Sequence, residues 1–170
     1  MIQPKVKLIS GLLYPDEKFL NWSIEKLKNL WGEPEIISKP VPFNKTNYYD
    51  YISPNLTRIF LSFPDLRDPA DLVDWKKSAI ELEAESRQPI RAVNIDPGYL
   101  DGARIILAST KDHAHRIYLH DGIFAEVTMR YRFKKWQSFD YTFPDFASGV
   151  YDEFLSEVRR SWLKESKPDA

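Results

Sequence analysis

The sequence predicts an α+β fold in which an antiparallel or mixed sheet carries helices on one face. Branched and aromatic segments first alternate with two stretches of helical periodicity, which predicts a ferredoxin-like β-α-β-β-α-β start. The dipeptide Asp121-Gly122 then lies between two apolar segments and predicts a hairpin within a C-terminal β-meander. A last group of apolar residues at helical spacing predicts a closing helix.

The first strand is predicted over residues 6–13, where branched apolar residues alternate loosely. Pro15 to Glu17 begin a helix, because proline suits the first turn and carboxylates favour the positive end of the helix. Gly32 ends this helix. Its apolar residues recur at helical spacing and form the buried stripe: Leu20, Ile24, Leu27 and Trp31.

The second strand, over residues 35–43, contains Pro40 and Pro42. Proline cannot donate to a strand ladder, so this strand is predicted at an edge. A polar, tyrosine-containing loop follows over residues 44–55, and the third strand over residues 56–63.

Asp68 as cap and Pro69 at the first helical position begin the second helix, which ends near Ser86. Lys76 and Glu83 are predicted on its solvated face. The buried stripe is Leu72, Trp75, Ala79 and Leu82. A short strand over residues 90–95 follows and is closed by Asp96-Pro97-Gly98, a pattern typical of a type II turn.

The meander is predicted as strands at residues 103–109, 114–120 and 123–133. The closing helix is marked by Tyr151, Phe154, Leu155, Val158 and Trp162. Neither an internal repeat nor a linker divides the chain. We therefore expect a single α+β domain over residues 1–164, with residues 165–170 as a frayed tail.

Composition restricts the classes of function. The 24 basic and 25 acidic side chains leave a net charge of −1, so charge predicts neither nucleic-acid nor membrane partners. The chain has no cysteine, which excludes disulfides, thiolate metal sites and cysteine nucleophiles. With no signal-peptide pattern and no apolar run long enough to span a bilayer, the sequence predicts a cytoplasmic protein. It does not specify an oligomeric state.

Motifs for several common chemistries are missing from the sequence. There is no P-loop, no G-x-G-x-x-G fingerprint, no G-x-S-x-G elbow and no H-E-x-x-H helix. The sequence therefore assigns no cofactor.

The hairpin carries the strongest functional signal. A two-residue turn at Asp121-Gly122 predicts a register that pairs His120 with Ile123 and, further along, His115 with Thr128. His115, Glu126 and Thr128 then share one sheet face, whereas Arg116 and Tyr118 share the other. An imidazole beside a carboxylate can act as a general base, so His115 and Glu126 are the candidate catalytic pair. The alternative is a structural hydrogen-bond network around the same groups.

The three histidines lie close together in sequence, as His113, His115 and His120. With Glu126, the first two could form a two-histidine, one-carboxylate metal site. However, Thr110 to Asp112 look like a turn, which would remove His113 from the strand alternation. We therefore do not assign metal ligands.

Further residues are candidates for ligand binding. Lys111 and Arg116 could bind a phosphate or carboxylate. Asp96 follows a predicted strand, and Tyr48 and Tyr49 could form a lid or wall over a ligand. The full candidate set is Arg116, Tyr118, Thr128, Lys111, Asp96, Tyr48 and Tyr49.

Several segments resemble one protein family. Residues 94–100 (Asn-Ile-Asp-Pro-Gly-Tyr-Leu), 115–119 (His-Arg-Ile-Tyr-Leu) and 121–128 (Asp-Gly-Ile-Phe-Ala-Glu-Val-Thr) are similar to the bacterial domain-of-unknown-function family 4416. Residues 43–49 and 141–145 support the resemblance, which covers nearly the whole chain in order. The resemblance implies no activity, but it singles out the same segment from His115 to Thr128.

The leading hypothesis is therefore a cytosolic enzyme or binding domain for a small anionic metabolite, with a nucleotide among the candidates. His115 and Glu126 would do acid–base or orienting work, and Arg116 or Lys111 would bind the anion. One alternative is a non-catalytic protein-interaction module that presents an exposed apolar patch. A second alternative is a metal-dependent enzyme.

Overall fold

A computed structural model describes residues 2–44 and 46–168 and shows one nine-stranded antiparallel sheet with helices. The strands are β1 (Val6–Tyr14), β2 (Ile36–Ile37), β3 (Val41–Pro42), β4 (Thr57–Arg67), β5 (Asn94–Leu100), β6 (Arg104–Ser109), β7 (Arg116–His120), β8 (Ile123–Arg132) and β9 (Lys135–Ser138). The helices are α1 (Glu17–Trp31), α2 (Leu72–Ser86), α3 (Pro144–Ala147) and α4 (Asp152–Glu165). The predicted α+β class with a large antiparallel sheet is confirmed.

The sheet runs in the order β2-β4-β1-β5-β6-β8-β7, with β3 paired to β4 and β9 paired to β8. β1 is buried at every position, because both of its faces are covered. Leu8 and Leu12 belong to the core formed with α1 and α2, whereas Ile9 on the opposite face packs in the core formed with α3 and α4. The prediction of helices on one face is therefore wrong: the molecule has a core on each side of the sheet.

Helix ends follow local chemistry. Asp16 caps α1 by accepting a hydrogen bond from the Phe19 backbone N–H at 3.0 Å, as the cap pattern requires. Asp68 accepts from the Ala70 N–H at 2.9 Å and begins a short 3-10 segment, Pro69–Asp71, that leads into α2. The predicted buried stripe of α2 lies in the core. No helix in the described part of the chain has the length and apolar character needed to cross a bilayer.

The predicted turn at Asp96-Pro97-Gly98 is wrong, because these residues lie inside β5 and pair with β1. Pro97 lacks an N–H. Residues two apart in a strand direct their backbone groups to the same side, and those of Ile95 point away from β1 toward α2, so an N–H at position 97 would not face β1 either. The missing donor therefore costs no bond to β1. The Pro-Gly pattern does not distinguish a turn from a strand, because a strand tolerates proline where the N–H would face no neighbouring strand.

The hairpin forms at Asp121-Gly122, but the predicted register is wrong beyond His120. A bulge between Tyr118 and His120 shifts the pairing by one residue, so that Arg116 lies opposite Glu126 and Tyr118 opposite Phe124. Arg116 and Glu126 consequently share a face, whereas the two-residue turn alone placed them on opposite faces. β9, which the sequence did not predict, follows a second tight turn at Phe133 and Lys134.

The C-terminal helix is attached to the first strand by a buried lysine. The Lys7 side chain is fully buried, and its Nζ lies 2.8 Å from Glu165 and 3.2 Å from Glu35. Glu165 is the last residue of α4, and the frayed tail from residue 165 stays a prediction. That tail, over residues 165–170, extends beyond the described residues, which end at 168.

Candidate functional site

The site arises where the sheet splits. β5 and β6 pair where Gly98 to Leu100 meet Ile105 to Leu107, and among the described residues β5 has no β6 partner before Gly98. A β-carbon at Gly98 would lie 2.1 Å from the Ile106 carbonyl oxygen, so only glycine permits the close approach at which the strands join. Upstream of this junction the two strands diverge.

Side chains of α2 replace the missing neighbour strand. The Ile95 N–H donates to Glu83 Oε2 at 2.8 Å, and Lys76 Nζ donates to the Ile95 carbonyl at 3.3 Å. The prediction that Lys76 and Glu83 lie on a solvated face is therefore wrong: their relative exposures are 7% and 5%. Buried backbone groups require partners, and these two side chains supply them.

A cavity of about 840 Å³ occupies the opening and extends from α2 on one side of the sheet to α3 on the other. Its wall combines aromatic rings with ionisable groups. The cations are Arg58, Lys76, Arg91, Lys111 and Arg116, and the carboxylates are Glu83, Asp96, Glu126 and Asp145. Most of these charges pair with one another, so the wall is polar but nearly neutral.

Arg58 forms the floor. It reaches from β4 across Gly11 to β5, where its Nη1 lies 3.0 Å from Asp96 Oδ2. A β-carbon at Gly11 would lie 2.3 Å from that nitrogen, so the glycine leaves the channel through which the side chain passes. Phe43 and Phe60 lie 5.1 Å and 5.4 Å from the guanidinium carbon.

Asp96 is the centre of the floor. It also accepts from Asn94 Nδ2 at 2.8 Å and lies 3.8 Å from Lys76 Nζ. Burial alone would raise the pKa of Asp96, but the charges of Arg58 and Lys76 and the hydrogen bonds hold it below its ordinary value. The group is therefore a carboxylate at neutral pH.

The His115–Glu126 pair lies on the β6–β7–β8 side of the cavity. His115 Nε2 is 3.0 Å from Glu126 Oε1, which also accepts from Arg116 Nε at 3.1 Å. The other oxygen, Oε2, accepts from Thr128 Oγ1 at 2.9 Å. If Nε2 carries the proton that the carboxylate accepts, Nδ1 is the basic nitrogen of the ring.

Arg116 is bound to the protein on several sides. Besides Glu126, it donates from Nη1 to Ser109 Oγ at 2.9 Å and to the Lys111 carbonyl at 3.1 Å. It therefore holds Glu126 and the loop before β7 in place through Nε and Nη1.

Aromatic rings fix the plane of the imidazole. His115 stacks on Tyr141 with ring centroids 4.0 Å apart, and on its other side His113 lies at 5.6 Å. Phe139 continues the stack beyond Tyr141 at 5.3 Å, and the Tyr141 hydroxyl donates to the Val127 carbonyl. Burial, and then the charge of Glu126, raise the pKa of Tyr141, so this hydroxyl remains a donor.

Tyrosines from the loop after β3 form the opposite wall. Tyr48 and Tyr49 pack edge to face at 4.8 Å, and Lys111 Nζ lies 3.7 Å from the Tyr48 ring centroid. Lys111 has no carboxylate partner within 4.0 Å in the described part of the chain. The Tyr51 hydroxyl accepts a hydrogen bond from Arg91, whose Nη1 lies 2.6 Å from Glu83, so the loop is tied to α2.

The structure brings most of the predicted site residues together on this cavity: His115, Glu126, Arg116, Lys111, Asp96, Tyr48 and Tyr49. Tyr118 and Thr128 are not on its wall. Tyr118 lies on the edge strand β7, where it is 57% exposed, and Thr128 is completely buried.

The alternative metal set of His113, His115 and Glu126 does not converge. His113 and His115 stack face to face, and no group of three potential ligands among residues 2–44 and 46–168 is arranged to hold a metal ion. His120 is exposed, and its Nδ1 lies 3.2 Å from Asp121 Oδ2.

Sequence reasoning missed four residues of the cavity wall, namely Arg58, Asn94, Tyr141 and Asp145. One signal was present in the sequence. Arg58 precedes the apolar run Ile59 to Leu61, and a cation in a buried strand must be paired or used.

Comparison with known proteins gives a family without an activity. The family model described as Domain of unknown function (DUF4416) matches residues 4–162. No curated protein and no solved structure matches the chain.

Proposed function

The chain belongs to the family Domain of unknown function (DUF4416), whose description assigns no activity, and we propose from the cavity itself that the protein binds a small anionic metabolite. A nucleotide is among the candidates. The observation that carries the proposal is that the His115–Glu126 pair and Lys111 line one cavity of about 840 Å³. His115 would accept or donate a proton or orient the ligand.

The size and composition of the cavity support this proposal. Small-molecule sites commonly enclose about 300–1,000 Å³ and combine apolar walls with a few convergent polar groups. Here the rings of Tyr48, Tyr49 and Tyr141 provide flat apolar surface, and the ionisable groups lie between them. A purely structural network would require no cavity of this volume.

The roles follow from which groups are already paired. Arg116 is used in positioning Glu126, so Lys111 is the cation that meets the anion of the ligand. Glu126 holds His115 through Nε2, and Nδ1 is the nitrogen that can act on the ligand as base or hydrogen-bond acceptor.

A thermal-shift screen over nucleotides, sugar phosphates, dicarboxylates and amino acids tests the proposal, because ligand binding to the folded state raises Tm. We expect at least one compound to raise Tm in the wild type. Lys111→Met and His115→Gln should reduce that shift, whereas Lys164→Met, on the exposed side of α4, should retain it. If no compound shifts Tm, or if both site variants respond like the wild type, the proposal is wrong.

A specific observation also favours an interaction module as a second candidate. β7 is the last strand of the sheet, and Ile117, Tyr118 and Leu119 on it are 67%, 57% and 39% exposed. Such an edge can accept an extended peptide as an additional strand. This candidate predicts that Ile117→Lys changes the association state in sedimentation experiments while the cavity variants do not; identical sedimentation of Ile117→Lys and wild type would count against it.

The finer expectations about fold and location are part of the same proposal. The order β2-β4-β1-β5 supports a ferredoxin-like start, and α4, packed against β1, β4 and β5, supports the role of a closing helix. The lack of cysteine supports a cytoplasmic location.

A further inference from the structure

Two ionisable side chains in the cavity wall are buried without a complete set of partners. Arg58 is 4% exposed and Asp145 is 5% exposed, and both line the cavity on the side of α3. Buried polar atoms normally have at least one hydrogen-bond partner, from the protein or from ordered water. Their unsatisfied atoms indicate what the cavity binds at this end.

The protein satisfies only part of the guanidinium group of Arg58. Nη1 is the guanidinium nitrogen that donates to a protein acceptor, Asp96, and Nε is buried with no hydrogen-bond partner among the described residues. In a guanidinium group the Nε and Nη2 donors point to the same side and match the two oxygens of a carboxylate. Nε has almost no accessible surface, so an oxyanion in the cavity would bind Nη2, which has no acceptor among the described residues.

Asp145 presents an unused acceptor. Its Oδ2 accepts from the Tyr151 hydroxyl at 2.7 Å, and within the described chain no lysine, arginine or histidine lies within 4.0 Å of the carboxylate. Tyr151 packs against Phe60, 4.8 Å away, which places this carboxylate near the Arg58 floor. Although burial alone would lower the pKa of Arg58, the neighbouring groups Asp96, Tyr151 and Asp145 raise it, so these groups lie within electrostatic reach of one another.

We propose that this end of the cavity binds the amino-carboxylate head of an amino acid or amino-acid conjugate. The carboxylate would bind Nη2 of Arg58, and the ammonium would bind Asp145. The proposal rests on the proposed function, because it uses the same cavity and assigns Lys111 to an anionic group at the far end of the ligand.

Charge balance favours a zwitterion at this end. Arg58 and Lys76 contribute two positive charges, and Asp96 and Asp145 contribute two negative charges, so the floor is neutral. A bare phosphate bound there would face the Asp145 carboxylate, whereas an ammonium group beside the carboxylate removes that repulsion. A free amino acid would leave much of the 840 Å³ empty, so the natural ligand is expected to carry an extended, anionic remainder.

The decisive experiment compares three probes of similar length by calorimetry and thermal shift. L-Glutamate carries the amino-carboxylate head and a distal carboxylate, glutarate lacks the ammonium group, and 4-aminobutyrate lacks the α-carboxylate. We expect L-glutamate to bind at least about tenfold more tightly than either of the others, because each loses one charged partner. This comparison uses the wild-type protein, so it does not depend on any variant that fails to fold.

Two conservative variants assign the two contacts. Asp145→Asn keeps an acceptor for the Tyr151 hydroxyl but removes the charge, and we expect it to lose the preference for L-glutamate over glutarate. Arg58→Lys keeps a cation beside Asp96 but removes the Nη2 donors, and we expect it to lose the preference over 4-aminobutyrate. Circular dichroism and the Tm of the ligand-free variants verify that each one folds.

The outcomes separate this inference from the proposed function. Equal binding of glutarate and L-glutamate would overturn the inference, and so would binding of nucleotides or sugar phosphates with no response to L-glutamate; either result leaves the proposed function in place. If neither the probes nor the wider screen shifts Tm, both proposals are overturned.

Discussion

At the scale of single residues, the floor depends on Gly11. A β-carbon there would lie 2.3 Å from Arg58 Nη1 and 3.0 Å from the Phe60 ring. We expect Gly11→Ala to displace Arg58 from Asp96 and to lower the free energy of unfolding by about 1–3 kcal/mol, as overpacking of a core does. Urea denaturation would measure this loss.

A double-mutant cycle gives the control for Gly11→Ala. In an Arg58→Ala background the nearest clash is gone, so the added methyl group should be less destabilising than in the wild type. The same cost in both backgrounds would show that the guanidinium group is not what Gly11 accommodates.

The sequence predicted the His115–Glu126 contact for an incomplete reason. The register argument placed the two residues on one face, and they do meet at 3.0 Å, but the bulge at Leu119 changes the register that led to this prediction. Pairing of two residues across a turn is a local property, whereas a bulge depends on packing of both strands against the rest of the sheet. Arg58 was missed because its partner, Asp96, is distant in sequence.

At the scale of elements, the attachment of α4 to β1 should depend on pH. Burial would raise the pKa of Glu165, but its hydrogen bonds from Lys7 and Ser161 lower it below the ordinary value of 4.5. A lowered carboxyl pKa contributes stability that is complete above the unfolded-state value and is lost as pH falls through the folded-state value. The contact between α4 and Lys7 should therefore weaken below about pH 4.

The substitution Lys7→Met tests this dependence. At neutral pH it should lower the free energy of unfolding by about 1–3 kcal/mol, because two carboxylates lose their buried donor. The difference from the wild type should decrease as the pH is lowered below the ordinary glutamate pKa of 4.5. A difference that stays constant across that range would rule out the Lys7–Glu165 pair as its cause.

The split in the sheet gives a second prediction at this scale. Glu83→Ala removes the acceptor of the Ile95 N–H, and leaving a buried donor unpaired costs about 1–3 kcal/mol. Glu81→Ala, on the exposed side of the same helix, is the matched control and should change stability by less than about 0.5 kcal/mol. Urea denaturation of both variants measures the two effects; equal effects would mean that α2 does not replace a strand.

Elements with local signals were the ones that the sequence predicted well. The start of α1 and the buried stripe of α2 depend on neighbouring residues, and both appear as expected. The interpretation of Asp96-Pro97-Gly98 failed because the same residues suit a turn or a strand that has lost a neighbour. Contacts with α2 decide between the turn and the strand, because Lys76 and Glu83 bond the backbone groups of Ile95 that no strand reaches.

At the scale of the whole molecule, the two cores explain why the cavity persists. α1 and α2 pack on one face of the sheet and α3 and α4 on the other, so the sheet is held on both sides while β5 and β6 diverge. The sequence predicted the class of fold, because strand and helix periodicities are local. It could not predict the opening, which results from contacts between elements far apart in the chain.

If the cavity is maintained for ligand binding, a substitution that fills it should abolish binding without lowering the stability of the ligand-free protein. Leu107 lies on the cavity wall beside the junction of β5 and β6 and is only partly buried, so a larger side chain can extend into the empty volume. We expect Leu107→Trp to abolish ligand-induced shifts in Tm while leaving the Tm of the ligand-free protein unchanged or higher, because filling a cavity adds contacts without removing core atoms. Leu163→Trp, at an exposed position of α4, is the control and should respond to ligand like the wild type. Retention of the ligand shift in Leu107→Trp would mean that the ligand binds elsewhere, and a large loss of ligand-free stability would mean that the opening is required by the packing of the sheet.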